Sequence, residues 1–274
     1  MSDDGFSRLE RFADVDAADE APMFQAFLER IEGIADVRSR RQRSYELVEV
    51  SRGDRVVDVG CGLGTAAVEL AQIVGPEGSV LGIDASEAMV GEATRRHATA
   101  GAAFRQGDAL DLSIGESMVD VYRAERLYQH LADPGAALGE AARVLRPGGR
   151  LVVIDQDWDA LLFDGRDRGL TREVQRCFSD SMVQGWIGRR FHALLCDAQF
   201  VAVEVEADTV VSTDWDEYGV VAQLAARTAA NDPAVGPDAS AAWLDDQQTR
   251  ATEGRWVMVM THFLASGRTS SPPG

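Results

Sequence analysis

Arg55-Val-Val-Asp-Val-Gly-Cys-Gly-Leu-Gly-Thr65 decides the fold of this 274-residue chain. Val56, Val57 and Val59 are β-branched and apolar, so Arg55–Val59 reads as a buried strand. Gly60, Gly62 and Gly64 then make a turn in which the backbone can approach a ligand with no side chain in the way. After Thr65, the residues Ala66, Ala67, Leu70, Ala71 and Val74 repeat at helical spacing. A glycine turn feeding a helix N-terminus offers free N–H groups and a positive dipole end to a nucleotide-like ligand.

The turn departs from the dinucleotide fingerprint, which wants a third glycine three places after the second. Thr65 stands there instead. The expected acid is present: Asp84 ends a second strand, Val80-Leu-Gly-Ile-Asp84, at the distance suited to a group that grips ribose hydroxyls. A nucleoside ligand is favoured over a pyrophosphate.

Working outward, strand and helix alternate, which predicts a doubly wound, mostly parallel sheet. The strands fall at about 55–59, 80–84, 102–106, 118–123 and 150–155, with helices at about 65–75, 87–100 and 134–145. Pro147-Gly148-Gly149 reads as a stop before the fifth strand. Beyond Trp158 the rhythm breaks into a helical stretch at 170–200, a strand at 201–211, an acidic, alanine-rich segment at 214–254 and a final strand at 255–266. A segment of that length is too long for an idle loop. Upstream, Met23, Phe24, Phe27, Leu28, Ile31 and Ile34 recur at helical spacing, and a second helix follows at about 37–50.

Four motifs in order resemble the class I S-adenosylmethionine-dependent methyltransferases, in the small-molecule branch of the ubiquinone and menaquinone enzymes. Val57–Thr65 is similar to their motif I, Asp84-Ala-Ser-Glu-Ala-Met89 to the ribose-binding segment, and Gly107-Asp-Ala-Leu-Asp111 to the adenine-binding segment. Arg143-Val-Leu-Arg-Pro-Gly-Gly-Arg-Leu-Val-Val153 resembles the motif that follows the core. The resemblance covers about residues 40–270. It implies a seven-stranded, mostly parallel Rossmann-like sheet with an N-terminal helical lid and a helical insertion before the last strand. The organisation expected is a flexible arm (1–20), lid helices (21–50), a cofactor-binding core (51–158), the rest of the core with a substrate cap at about 214–254 (159–267), and a tail (268–274). Phe12-Ala-Asp-Val-Asp16 and the helix pair after it resemble the family's lid.

The implied cofactor is S-adenosylmethionine. Its binding residues are Asp58, Gly60, Cys61, Gly62, Gly64, Asp84, Ala85, Met89, Asp108, Ala109 and Arg123. Asp108 would accept from the adenine amino group and the Ala109 N–H would donate to the ring. Asp58 orients the turn or the cofactor amine, and Arg41 or Arg43 is a candidate for its carboxylate. Cys61 occupies a position in the turn that needs a small residue.

In such sheets ligands collect beyond the carboxyl ends of the strands, which also brings in 123–130 and 155–158. His130, in Leu127-Tyr-Gln-His-Leu131, is the candidate catalytic base or acceptor-orienting group. Substrate candidates are Tyr128, Asp155, Asp157, Trp158, Trp186 and His192, with Trp215 and Trp243 as further wall residues and Tyr122 and Arg126 as further polar contacts. Asp155-Gln-Asp-Trp-Asp159 suits an amine or a hydroxyl better than a metal, and no metal site is assigned. His97 reads as solvated and His262 as a packing residue.

Composition narrows the partners. The net charge is −18, which argues against a nucleic-acid substrate. All 27 basic residues are arginine, and the Arg38, Arg40, Arg41 and Arg43 cluster reads as a solvated helix face. No run of eighteen apolar residues and no signal peptide is visible, so neither a membrane span nor secretion is expected. Three cysteines without metal-ligand spacing suit a reduced, cytoplasmic protein. The expectation is a monomer or homodimer acting on a small-molecule acceptor. A cofactor binder with a non-methylating role and a nicotinamide-dependent oxidoreductase are the alternatives, the latter disfavoured by Thr65.

Overall fold

The computed structural model describes residues 21–271, without the side chains of 21–24 and 27. The arm at 1–20, with Phe12–Asp16, and the last tail residues at 272–274 lie outside the described residues, as do the side chains of Met23, Phe24 and Phe27.

After helices α1 (Ala21–Glu32) and α2 (Ala35–Leu47), the chain runs through β1 (Arg55–Val59), α3 (Thr65–Val74), β2 (Ser79–Asp84), α4 (Glu87–Arg96), β3 (Ala102–Gln106) and β4 (Val119–Glu125). A short 3-10 turn at Tyr128–His130 precedes α5 (Pro134–Val144) and β5 (Leu145–Phe163). Then come α6 (Arg168–Ser181), α7 (Ile187–Asp197), β6 (Val201–Ser212), α8 (Trp215–Ala230), α9 (Gly236–Thr252) and β7 (Met258–Arg268). Seven strands form one sheet in the order β3-β2-β1-β4-β5-β7-β6. β7 lies antiparallel to β5 and β6, and the other pairs are parallel. The chain winds outward from β1 to β3, then returns to place β4 on the other side of β1. That reversal opens a crevice at the carboxyl ends of β1 and β4, where doubly wound sheets bind ligands.

The central strands are apolar on both faces because both faces are covered. Val57, Val59, Tyr122, Leu151 and Val153 pack against Leu138 and Ala141 of α5 and Phe191 of α7. Their neighbours of opposite parity, Val56, Val121, Val152 and Ile154, meet Tyr45 of α2 and Ala67 and Leu70 of α3. A separate core forms under the late helices from Leu161, Phe163, Phe178, Tyr218, Trp243 and Trp256. Ala222, Ala225, Ala226 and Ala229 form an alanine seam on α8, all buried, where small side chains allow close helix approach. Trp215 meets Trp256 edge-on at 5.2 Å and Trp243 meets Phe163 at 5.3 Å. These two tryptophans build the cap and do not wall the ligand cavity.

Four local expectations change. Pro147-Gly148-Gly149 does not stop the chain before β5; it forms a bulge within it, where pairing with β4 jumps from Val119↔Leu145 to Val121↔Arg150. β5 also runs on to Phe163 because β7 supplies an antiparallel partner for its far end. The arginine cluster is only partly solvated. Arg40 and Arg41 are buried, pairing with Asp208 and Glu69 at 2.7 and 2.9 Å. His97 is half-buried, with Nε2 3.1 Å from the Leu63 carbonyl oxygen.

Candidate active site

The glycine turn is pinned from beneath. The Gly60 and Cys61 N–H groups donate to the Ile83 carbonyl at 2.8 and 3.0 Å. The Gly62 N–H donates to Asp84 Oδ2 at 2.8 Å, and Asp84 Oδ1 accepts from the Ser86 N–H at 3.0 Å. One carboxylate therefore holds the turns after β1 and β2 together. Gly62 and Gly64 both adopt positive φ, +52° and +83°, a region side chains avoid. A Cβ at Gly64 would also lie 2.6 Å from the Phe104 ring, whereas one at Gly62 would meet only Leu28 at 3.6 Å. Gly64 is thus a packing glycine, and Gly62 keeps the backbone open toward a ligand.

A cavity of about 790 Å³ rises from this turn. One end is walled by Gly60, Cys61, Gly62, Asp84, Ala85, Met89, Asp108 and Ala109. Asp108 shapes its own turn by accepting from the Leu110 N–H at 2.9 Å. The other end is a largely apolar chamber beneath the cap, lined by Leu131, Trp158, Phe178, Met182, Val221 and Leu224. A bulge in β5, between Asp157↔Thr261 and Leu162↔Val259, delivers Trp158 to it. The Trp158 indole N–H donates to Gln129 Oε1 at 2.7 Å, and the ring packs edge-on to Phe178 at 5.1 Å.

Between the two ends a row of buried polar side chains crosses one face of the sheet. Asp58 of β1 is in register with Arg123 of β4, whose Nη1 donates to Asp58 Oδ1 at 2.8 Å. Arg123 also pairs with Glu125. Gln156 of β5 stands opposite His262 of β7, and His262 opposite Asp208 of β6, which accepts from Arg40 Nη1 at 2.7 Å. Within this row Asp58 Oδ2, Glu125 Oε1, Gln156 Oε1, His262 Nδ1 and Arg40 Nε have no partner among the described residues. Interiors rarely leave so many buried polar atoms unpaired. Burial raises the Asp58 pKa against the pull of Arg123. Burial also pushes Glu125 upward, but the charges of Arg123, Arg126 and Arg40 outweigh it and hold its carboxyl below the usual range.

Two further groups face the cavity. Arg126 follows β4 at φ +56°, with its N–H donating to the Ile154 carbonyl at 2.8 Å. It lines the main cavity and a small side chamber of about 30 Å³ beside Asp58 and Glu32. Among the described residues it forms no ion pair like those that fix Arg40, Arg41 and Arg123. His130 also lines the main cavity. Burial, reinforced by the Arg126 charge, pulls its pKa down to about 4, so the ring is neutral at pH 7.

Several candidates lie elsewhere. Tyr128 is fully buried on the opposite face of the sheet, with its hydroxyl 3.2 Å from that of Tyr122. Asp155 accepts from the Tyr128 N–H at 2.8 Å, and burial pushes its pKa well above the usual range. Asp157 accepts from Arg189 Nη2 at 2.6 Å. Strand alternation explains both: 155 and 157 point away from the face that carries Gln156 and Trp158. Trp186 is 51% exposed, with Arg190 stacked over it at 5.9 Å, and His192 is exposed on α7. Asp58 and Arg123 wall the small side chamber, not the main cavity. Gly64 lines neither. Arg41 is held by two bonds to Glu69, at 3.0 and 2.9 Å, and Arg43 pairs with Glu46 and Glu206, so neither is directed at a cofactor carboxylate. Burial pushes the Cys61 thiol well above its ordinary pKa, which leaves it an unreactive filler of the turn.

The sequence reading passed over Glu32 and Gln156, and it took His262, which lines the cavity, for a packing residue. Glu32 accepts from Thr65 Oγ1 at 2.6 Å and ties α1 to the start of α3. Gln156 shares strand parity with Val152 and Ile154, a signal available in the sequence. His262 lies in an apolar strand, where its pairing partner cannot be read locally.

This fold and site define a class. A methyltransferase domain family model matches residues 50–208, more than half of the chain. An uncharacterized 37.1 kDa protein in a Streptomyces fradiae transposon is 38% identical over 191 residues, 69% of this chain and 55% of that protein. The demethylmenaquinone methyltransferase of Staphylococcus carnosus is 34% identical over 117 residues, 42% of this chain and 48% of that enzyme. The matched stretches thus span about half the length of these curated relatives. Haemonchus contortus phosphoethanolamine N-methyltransferase 2, solved with S-adenosylhomocysteine, shares the fold at TM-score 0.60 and 16% identity, covering 95% of this chain and 60% of that one. The chain belongs to the methyltransferase domain family, whose members use S-adenosylmethionine as methyl donor. The residues present fit that cofactor: Gly62 leaves the turn open, Asp84 closes β2, and the buried Asp58 Oδ2 faces a side chamber without a partner. Among the described residues no helix is long and apolar enough to cross a membrane.

Proposed function

We propose that this protein transfers the methyl group of S-adenosylmethionine to a small, mostly apolar acceptor of quinone-like or natural-product type. The observation behind this reading is the single cavity of about 790 Å³ that joins the glycine-turn wall to the apolar chamber under the cap. Small-molecule sites commonly enclose ~300–1,000 Å³. The name of the Staphylococcus relative supports the quinone-like class.

S-Adenosylmethionine supplies an electrophilic methyl group on an excellent leaving group. Asp84 would hold the ribose hydroxyls, and Asp108 with Ala109 the adenine edge. Asp58 and Glu32 would meet the cationic amino group across the side chamber, and Arg126 the carboxylate. Trp158, Phe178 and Val221 exclude water around the acceptor. The chain's main contribution is then alignment, an effect that reaches ~7–11 kcal/mol in well-oriented reactions. His130, neutral and with a pKa near 4, is a weak base, so its first task is to accept a hydrogen bond and orient the acceptor.

Thermal unfolding with S-adenosylmethionine, S-adenosylhomocysteine and NAD added separately tests the cofactor. A ligand at a hundred times its Kd adds ~2.7 kcal/mol if it binds only the folded form. For a domain of this size the midpoint rises ~2–4 °C per kcal/mol. A shift with NAD alone sinks the reading. A shift with the sulfonium pair, followed by formation of S-adenosylhomocysteine with a hydroxylated aromatic acceptor, supports it.

A further inference from the structure

We propose that Gln156, His262 and Arg40 form a buried subsite that takes a neutral hydroxyl group of the acceptor, an inference that rests on the cofactor-and-acceptor reading above.

All three side chains line the main cavity. Each is more than nine-tenths buried, with exposures of 7% for Gln156, 2% for His262 and 4% for Arg40. Gln156 and His262 are directly opposed on antiparallel strands, so their side chains share one face at short range. Each of the three carries an atom with no partner, Oε1, Nδ1 and Nε respectively. No other described residue satisfies them: Met260, Val221 and Phe178 in the same cavity wall are apolar, and the Tyr218 hydroxyl in that wall donates to Asp36 at 3.1 Å.

The chemistry of these atoms selects the ligand group. Arg40 Nε is a donor only. The Gln156 amide can present either end, and a neutral imidazole has one donor and one acceptor nitrogen. Burial and the nearby Arg40 and Arg126 charges keep His262 neutral at pH 7. A group that both donates and accepts completes this set, and a hydroxyl does so with one atom. Charge excludes the other polar groups. Arg40 already pairs with Asp208, and Arg126 would be taken up by the cofactor carboxylate. No surplus positive charge remains to hold a buried carboxylate or phosphate, whose desolvation is costly. An ammonium group would find no carboxylate among the three side chains, and Asp208 beside them is already paired with Arg40. A methyl ether can accept but not donate, leaving the acceptor atoms of the wall unmet.

Isothermal titration calorimetry on the full chain saturated with S-adenosylhomocysteine tests this, with 2-naphthol, 2-methoxynaphthalene and 2-naphthoate as probes. The expected result is that 2-naphthol binds at least tenfold more tightly than either analogue, a difference of about 1.4 kcal/mol. Gln156→Leu and His262→Phe should each cut that advantage to threefold or less, with S-adenosylhomocysteine affinity unchanged. If His262→Phe does not fold, His262→Gln, which keeps a polar group there, should retain most of the advantage while Gln156→Leu loses it. Equal binding of the naphthol and its ether, tighter binding of the naphthoate, no naphthol binding, or an advantage that survives Gln156→Leu would each overturn the subsite. Absence of S-adenosylhomocysteine binding in the wild type would instead remove the cofactor reading, and the subsite with it.

Discussion

Asp58 and Arg123 sit in register on adjacent parallel strands, 2.8 Å apart, where neither side chain is more than 3% exposed to water. Such a pair is costly to form and costlier to break, because a lone partner is left as an uncompensated buried charge. Arg123 also engages Glu125 and takes Ser44 Oγ as an acceptor at 3.0 Å, so one guanidinium ties β1 and β4 to α2.

Arg123→Met should therefore destabilise the protein by about 3–5 kcal/mol. Asp58→Asn combined with it should recover part of that loss, since one of the two stranded carboxylates, Asp58 and Glu125, is gone. Urea unfolding of the two singles and the double measures the coupling. Additive losses would show that the pair carries no interaction of its own.

Gly62 and Gly64 should separate under mutation. Gly64→Ala forces both a positive φ and a collision with the Phe104 ring, and it should lower the unfolding midpoint more than Gly62→Ala. Gly62→Ala should cost about 1 kcal/mol in stability while weakening S-adenosylhomocysteine binding more than Gly64→Ala does. Matched effects on melting and affinity in both variants would remove Gly62 from the ligand face.

Asp84 and His130 divide the site by function. Asp84→Ala removes the proposed ribose anchor and the acceptor for the Gly62 and Ser86 N–H groups. Charged hydrogen bonds are worth ~1.5–3 kcal/mol, so cofactor affinity should drop by at least tenfold. His130→Ala should leave cofactor affinity intact and slow turnover by about 10²-fold. An unaltered rate would reassign His130 to shaping the turn.

Acid should weaken the fold through two cavity histidines, the half-buried His130 and the buried His262. His130, with a pKa near 4, and His262, also well below the ordinary value, bind protons less readily folded than unfolded. The unfolded chain therefore takes up more protons as pH drops below about 6.5. Stability should be full above that value, decline toward pH 4, and level off for His130 beneath it. Asp58 and Asp155, whose pKa values are raised, act in the opposite direction. Melting midpoints from pH 7.5 to 4.5 for the wild type, His130→Gln and His262→Gln isolate the histidine contribution. Each variant should flatten the decline, and parallel curves would refute the linkage.

The sequence by itself determined the order of strands and helices, the glycine turn and the acids at the ends of β2 and β3. Those features are local: β-branched runs, helical spacing and residues of special φ express themselves within a few neighbours. The length of 214–254 also marked it as more than an idle loop, and the family resemblance implied the helices there. Only the tertiary structure decided which side chains meet the ligand. Asp155 and Gln156 are adjacent in sequence, yet strand alternation sends the first to Tyr128 and the second into the cavity. Arg41, Trp215 and Trp243 have the chemistry of site residues, but Glu69 and the cap core claim them. His262 belongs to the cavity because β7 runs antiparallel to β5 and sets it against Gln156. Such pairings join residues about a hundred positions apart, and they are fixed by the closing of the sheet, which no local pattern records.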